Sequence, residues 1–112
     1  MSKYKVGDVV IAAISYFDNR KGYYVAQQRR WVVVKIDEDS KNITVSCTGQ
    51  THQSEKHDGI KVRQNSKEGI EMQLTMDTFI YCDSTVIFSD EDIDRKKGFC
   101  PRIAEILKKV FP

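Results

Sequence analysis

The chain has 112 residues, 40% of them apolar and 30% charged, and a net charge of +2. This length supports one hydrophobic core and one domain spanning residues 1–112. No apolar run reaches the ~18 residues of a membrane span, and Met1–Lys5 lacks the apolar stretch of a secretory signal. The expected setting is therefore the cytoplasm, with no membrane attachment.

Three cysteines, Cys47, Cys82 and Cys100, are odd in number and widely spaced, with no CxxC pair. They are expected as reduced structural thiols rather than as a disulfide framework or a metal cluster. Charge is distributed unevenly. Residues 1–36 hold seven Lys and Arg against Asp8 and Asp18, a balance of +5 that leaves about −3 for the remainder. Such a gradient fits one anion-binding face, and it fits chance scatter on a solvated surface equally well.

Taken in order, Val6-Gly7-Asp8 signals a turn and Val9–Ile14 a strand, extended by Tyr16 and Phe17. Asp18–Gly22 suits a loop tip. Tyr23-Tyr24-Val25 reads as further strand or as aromatic-rich loop. Gln27–Ile36 is the second main strand, with Arg29 and Arg30 standing directly before a dense apolar run. A polar turn at Asp37–Asn42 leads to a third strand at Ile43–Cys47. Thr48–Asp58 has no apolar residue and is expected as a long loop. Gly59–Arg63 alternates as a strand. Gln64–Gly69 reads as a turn, and Ile70–Leu74 as an apolar-faced segment. Phe79–Cys82 and Thr85–Phe88 are two candidate strands split by Asp83-Ser84.

Ser89, with Asp92 three residues on, predicts a helix start that Gly98 interrupts. Pro101 suits the first position of a second helix. Ile103, Ile106, Leu107 and Val110 then recur at helical spacing, with Lys108 and Lys109 in the last turn. Six or seven short strands and a C-terminal helix, without βαβ alternation, predict a mainly β fold. The expected architecture is a small curved antiparallel barrel closed by the helix.

Three constellations carry candidate chemistry. If the second and third strands form a hairpin, Arg29 and Arg30 meet Thr48 at one end of it, together with Gln50, Thr51 and His52. Arginine grips phosphate bidentately and stays charged at any working pH. The same residues can also be ordinary edge charges beside a solvated loop. His52 and His57 share one loop and can be read as an acid–base pair or as surface histidines. Tyr16, Phe17, Tyr23, Tyr24 and Trp31 interleave with Arg20, Lys21, Arg29 and Arg30. That pattern suits stacking on unpaired bases, a basic protein-binding surface, or core for some of the rings.

The chain resembles the PemK/MazF toxins of bacterial toxin–antitoxin pairs. Val6-Gly7-Asp8-Val9-Val10 is similar to that family's opening GDIV strand, and Gln28–Val34 to its RPxLV strand. Val45-Ser46-Cys47-Thr48-Gly49-Gln50 resembles its PlTSQ segment, and Phe79 to Ile93, Gly98 and the last helix follow its closing pattern. The resemblance implies an SH3-like barrel and an endoribonuclease that cuts single-stranded RNA without a metal or other cofactor. The product would be a 2′,3′-cyclic phosphate. It also implies a homodimer restrained by a cognate antitoxin protein.

Carried over by position, Arg29 is the functional arginine when Arg30 takes the place of the family's proline, and Arg30 when Trp31 does. Thr48 matches the threonine, Gly49 stands where the serine would be, and Gln50 matches the glutamine. Gln28, Gln50, Thr51, His52, Arg20 and Lys21 are the expected RNA contacts. The alternative is a catalytically silent SH3-like barrel that binds a protein, such as a topoisomerase, or a nucleic acid.

Overall fold

A computed structural model describes residues 3–112. Its centre is one antiparallel sheet of six strands, β1 (Asp8–Asp18), β2 (Tyr23–Asp37), β3 (Asn42–Gly49), β4 (Gly59–Val62), β5 (Thr78–Ser89) and β6 (Ile93–Phe99). They lie in the order β4-β5-β3-β2-β1-β6. The sheet curls into a half-barrel, and a C-terminal helix, α2 (Ile103–Val110), lies against it. Among the described residues no helix is long and apolar enough to cross a membrane.

The continuous apolar runs in β1 and β2 have a structural reason. A strand with one wet face alternates, whereas a strand covered on both faces reads as uninterrupted apolar sequence. Val9, Val10, Ile11 and Ala12 are all buried, as are Trp31, Val32, Val33 and Val34. Neighbouring residues on each strand serve two different cores. Val9, Val32 and Val34 join Ile60, Met72, Ile80 and Ile106 on the side covered by α2. Val10, Ala12, Trp31 and Val33 join Ile43, Val45 and Ile93 on the other. Trp31 anchors this second core, donating its indole N–H to the Ala12 carbonyl at 3.2 Å and meeting Phe88 edge-on at 5.1 Å.

At eight residues, α2 is too short to be helical alone and depends on its packed stripe. Ile106 is fully buried, with Ile103, Leu107 and Val110 beside it, as their spacing predicts. The helix begins two residues after Pro101 rather than on it. At the other end of the chain, Gly7 adopts φ of +100°, and a Cβ there would stand 2.5 Å from the Phe99 ring. Its N–H donates to the Val33 carbonyl and its carbonyl accepts from Cys100, both at 2.8 Å. Asp8, almost completely buried, accepts from the Lys5 N–H at 2.9 Å and pairs with Lys96 at 3.2 Å.

Of the two readings open for Tyr23–Val25, strand is the one observed, because β1 and β2 stay in register out to Asp18 and Tyr23. Other elements differ from the sequence reading. Thr48 and Gly49 belong to β3, and Thr51–Glu55 is a 3-10 turn, so the long loop is shorter than expected. Ile70–Leu74 is no strand. Ser66 caps a short helix, α1 (Lys67–Glu71), by accepting from the Gly69 N–H at 3.0 Å; Met72 is buried behind it and Ile70 is exposed.

Asp83-Ser84 does not split β5 but marks a register shift within it. Thr48 pairs with Ile80, and Ser46 with Thr85. Ser89 and Asp92 do form the expected capping box, yet only a 3-10 turn follows before the chain extends as β6. The cause is tertiary. Without β6, the buried half of β1 would leave its outer backbone groups unpaired.

All three cysteines are free. Burial pushes the Cys82 thiol up to about 11, assisted by the Asp58 charge. The unfolded chain then loses this proton before the folded one does. Stability from Cys82 is full below about pH 9 and declines as pH rises toward 11, by about 2–3 kcal/mol for a shift of this size. Urea melts at pH 8 and pH 11 should show this slope in the wild type and a shallower one in Cys82→Ala. Equal slopes would contradict it.

Candidate functional site

The β2–β3 ladder runs from Asp37–Asn42 to Trp31–Cys47 and stops there. Beyond it, β3 turns away to pair with the first part of β5, while β2 continues with β1 as its sole partner. Side chains bridge the fork. The Thr48 hydroxyl donates to the Arg30 carbonyl at 2.9 Å, and Arg29 Nη2 donates to the Thr48 carbonyl at 3.2 Å. Arg30 Nη2 donates to the Gln73 carbonyl at 3.3 Å, on a residue held at φ of +54°.

The fork opens into a pocket of about 250 Å³. Gln28, Arg29, Arg30, Thr48, Gly49 and Gln50 line it together with Gln27, Met76 and Thr78. Five of the sequence-derived site residues thus share one cavity. Thr51 and His52 line a neighbouring depression of about 420 Å³ that adjoins the first through Gln50 and Met76. Arg20 and Lys21 are elsewhere. They occupy the turn joining β1 to β2, where their backbone N–H groups donate to Asp18 Oδ1 at 2.8 and 3.2 Å. Tyr23 and Arg29 are about six strand steps apart, roughly 20 Å at the usual rise.

Two expectations change in detail. The proton of the Thr48 hydroxyl is committed to Arg30, and the residue is only 8% exposed. It braces the fork and, through its carbonyl, orients Arg29. His52 and His57 take different partners: His52 contacts Gln53 Nε2 at 3.1 Å, and His57 Nδ1 lies 2.9 Å from Asp83 Oδ2.

Tyr81 is a neighbour that motif reading missed. A Cβ placed on Gly49 would stand 3.0 Å from the Tyr81 hydroxyl oxygen. The phenol therefore fills the space into which a side chain at position 49 would grow. Its ring meets Phe79 edge-on at 5.1 Å and His57 at 4.9 Å, placing Tyr81 between the His57–Asp83 pair and the pocket rim. Phe79 and Tyr81 fall on alternate positions of one predicted strand, whereas Asp83 is read from the sequence as the break after it. Their nearness to Gly49 was not visible there, because it depends on the β3–β5 pairing.

The electrostatics agree with this arrangement. Burial raises the Tyr81 hydroxyl above its ordinary range; Cys47 and Asp83 add to the rise and the Arg29 charge opposes it. Tyr81 is thus a protonated donor throughout the neutral range. Burial likewise raises the Cys47 thiol against the pull of Arg29. Asp83 sits below its ordinary range: burial works to raise it, but the hydrogen bonds from His57 and from the Asp58 N–H outweigh that. A scan against protein-family models finds no match for the chain, and a search of curated proteins finds none either.

Thr48→Val keeps the shape of the side chain and deletes the bond to Arg30. A loss of about 1 kcal/mol is expected, the net worth of one such hydrogen bond. Chemical denaturation measures it. An unchanged midpoint would mean that the hydroxyl does not brace the fork.

Proposed function

We propose that this protein is an endoribonuclease acting on single-stranded RNA, with Arg29 as its central group. The observation that carries the reading is the convergence of Arg29 and Arg30 with Gln28 and Gln50 on one small pocket at the end of the β2–β3 ladder. Two guanidiniums beside amide donors suit a phosphodiester in charge, geometry and hydrogen-bonding sense. Each guanidinium carries five N–H donors, and a single bond to a protein carbonyl aims Arg29 while leaving donors for a ligand.

In the proposed reaction the ribose 2′-oxygen attacks phosphorus and the bond to the 5′-oxygen breaks. This leaves a 2′,3′-cyclic phosphate and a 5′-hydroxyl. Negative charge grows on the non-bridging oxygens in the transition state, and a fixed Arg29 opposes it there without reorganisation. Tyr81, protonated at neutral pH, supplies a further donor at the place where the resemblance expects a serine hydroxyl. No proton acceptor among the described residues lines the pocket, so the 2′-hydroxyl proton leaves to water and the departing 5′-oxygen takes one from water, while Arg29 stays charged and hydrogen-bonds the phosphate oxygens throughout. On this reading the protein works in the cytoplasm as a toxin. Its partners are RNA, a cognate antitoxin and a second copy of itself, as its resemblance to PemK/MazF toxins implies.

One observation favours a second reading, RNA binding without cleavage. No carboxylate or imidazole is among the described residues lining the pocket itself. Cleavage of an unmodified single-stranded RNA, followed on gels with end-group analysis, separates the two. The nuclease reading expects cyclic-phosphate ends from the wild type. It expects a fall of about 10²–10³ in kcat for Arg29→Ala, as for loss of an oxyanion donor, and a smaller fall for Tyr81→Phe. RNA that is bound but recovered intact would leave the binding reading standing and remove the nuclease.

A further inference from the structure

Apart from Ile14, which packs against the Trp31 core, the outer half of the β1–β2 hairpin belongs to neither core. β6 pairs with β1 no further out than Ala12, and β3 reaches no further along β2 than Trp31. Residues 13–28 therefore project as a two-stranded arm closed by a turn in which Gly22 adopts φ of +76°. Isolated two-stranded ribbons are marginal in water, yet this one exposes four large aromatic side chains. Tyr16 is 43% exposed, Phe17 47%, Tyr23 56% and Tyr24 73%.

The register sorts these rings. Residues directly opposite on paired strands share a face. Phe17–Tyr24, Ser15–Ala26 and Ala13–Gln28 are such pairs, followed by Ile11–Arg30 at the pocket. Tyr16 and Tyr23 lie on the other face, in line with Arg29 and beside Asp18. On the first face, Phe17 and Tyr24 meet edge-on with centroids 5.3 Å apart. Between them and Arg30 lies a low floor of exposed Ala13, Ser15 and Ala26, with Gln28 as its amide. Six residues from Tyr24 to Arg30 span roughly 20 Å.

Charge selects the occupant. Arg30 closes this face at the pocket end and Arg20 and Lys21 stand in the turn at the other, while the one acid of residues 13–30, Asp18, lies with Arg29 on the opposite face. Cations at both ends of an uncharged trough that terminates in exposed rings match a polyanion with flat bases. Single-strand grooves combine the same two features, commonly over about four or more nucleotides.

We propose that the Phe17/Tyr24 face of the arm is the track for single-stranded RNA entering the Arg30 side of the pocket. The aromatic pair stacks on bases a few nucleotides from the phosphate at the fork. This inference rests on the reading of the pocket as an RNA site and adds a remote contact to it.

The test uses the full chain and a fluorescein-labelled 12-nucleotide RNA of mixed sequence, fully 2′-O-methylated so that it cannot be cut. Anisotropy at low salt measures binding, and an unmodified copy measures cleavage. Tyr24→Ser and Phe17→Ser should each weaken binding roughly tenfold, within the range found for losing one stacked base. Tyr16→Ser and Tyr23→Ser should stay within about twofold of the wild type. All four positions are exposed, and unchanged melting curves would confirm that the variants fold.

No loss at Phe17 and Tyr24, or equal loss on both faces, overturns the track. If the wild type cuts RNA under that outcome, the pocket reading survives alone. Binding that depends on Tyr24 without cleavage keeps the track and removes the nuclease. Tyr24→Ser that alters the sedimentation of the protein and leaves RNA affinity unchanged makes the face a contact between copies and overturns the proposal.

Discussion

The structure turns on a fork. β2 runs in a ladder with β3 as far as Trp31 and then continues without it, because β3 bends away toward β5. Backbone hydrogen bonds cannot follow two diverging strands, so side chains take their place. The Thr48 hydroxyl holds the Arg30 carbonyl, and Arg29 holds the Thr48 carbonyl. This crossed pair of bonds keeps the strands from separating further and fixes the Arg29 guanidinium at the cavity mouth, where the Gln73 carbonyl holds that of Arg30. The geometry of the pocket and the stability of the sheet end are the same set of contacts.

The fork is possible because β2 is longer than any of its partners. Its buried segment, Trp31–Val34, separates two cores and is held on both faces. Its exposed segment runs out with β1 as an arm. A single strand thus passes from solvent, through the candidate site, into the most constrained part of the molecule. The arginines stand at the transition, where polar side chains still reach water and the backbone is already rigid. Exposed charge held by a rigid frame loses little freedom when a ligand arrives, the arrangement that favours binding.

What could be read from the sequence follows from range. Val9–Ile14, Trp31–Ile36 and Ile43–Cys47 announce themselves through apolar runs or alternation, and the α2 stripe through its spacing. Ser89 and Asp92 form their capping box as expected, but the strand that follows answers to β1, some eighty residues earlier. Local signals at Ile70–Leu74 likewise yielded to the Ser66 cap and to burial of Met72. At the site, Arg29, Arg30, Thr48 and Gln50 were legible because two adjacent strands carry them. Tyr81 was hidden because it arrives through pairing between β3 and β5. The direction of the Thr48 hydroxyl was hidden because no motif specifies which acceptor a threonine will choose.

Trp31 is the one tryptophan of the chain, and it sits at the root of the arm. Its indole is enclosed, tied to Ala12 on the neighbouring strand and set against Phe88. The residue beside it in the sequence, Arg30, lines the candidate pocket. The molecule therefore carries a built-in optical reporter at the junction between its buried and projecting halves. Loosening of the fork and global unfolding both disturb the surroundings of this one indole.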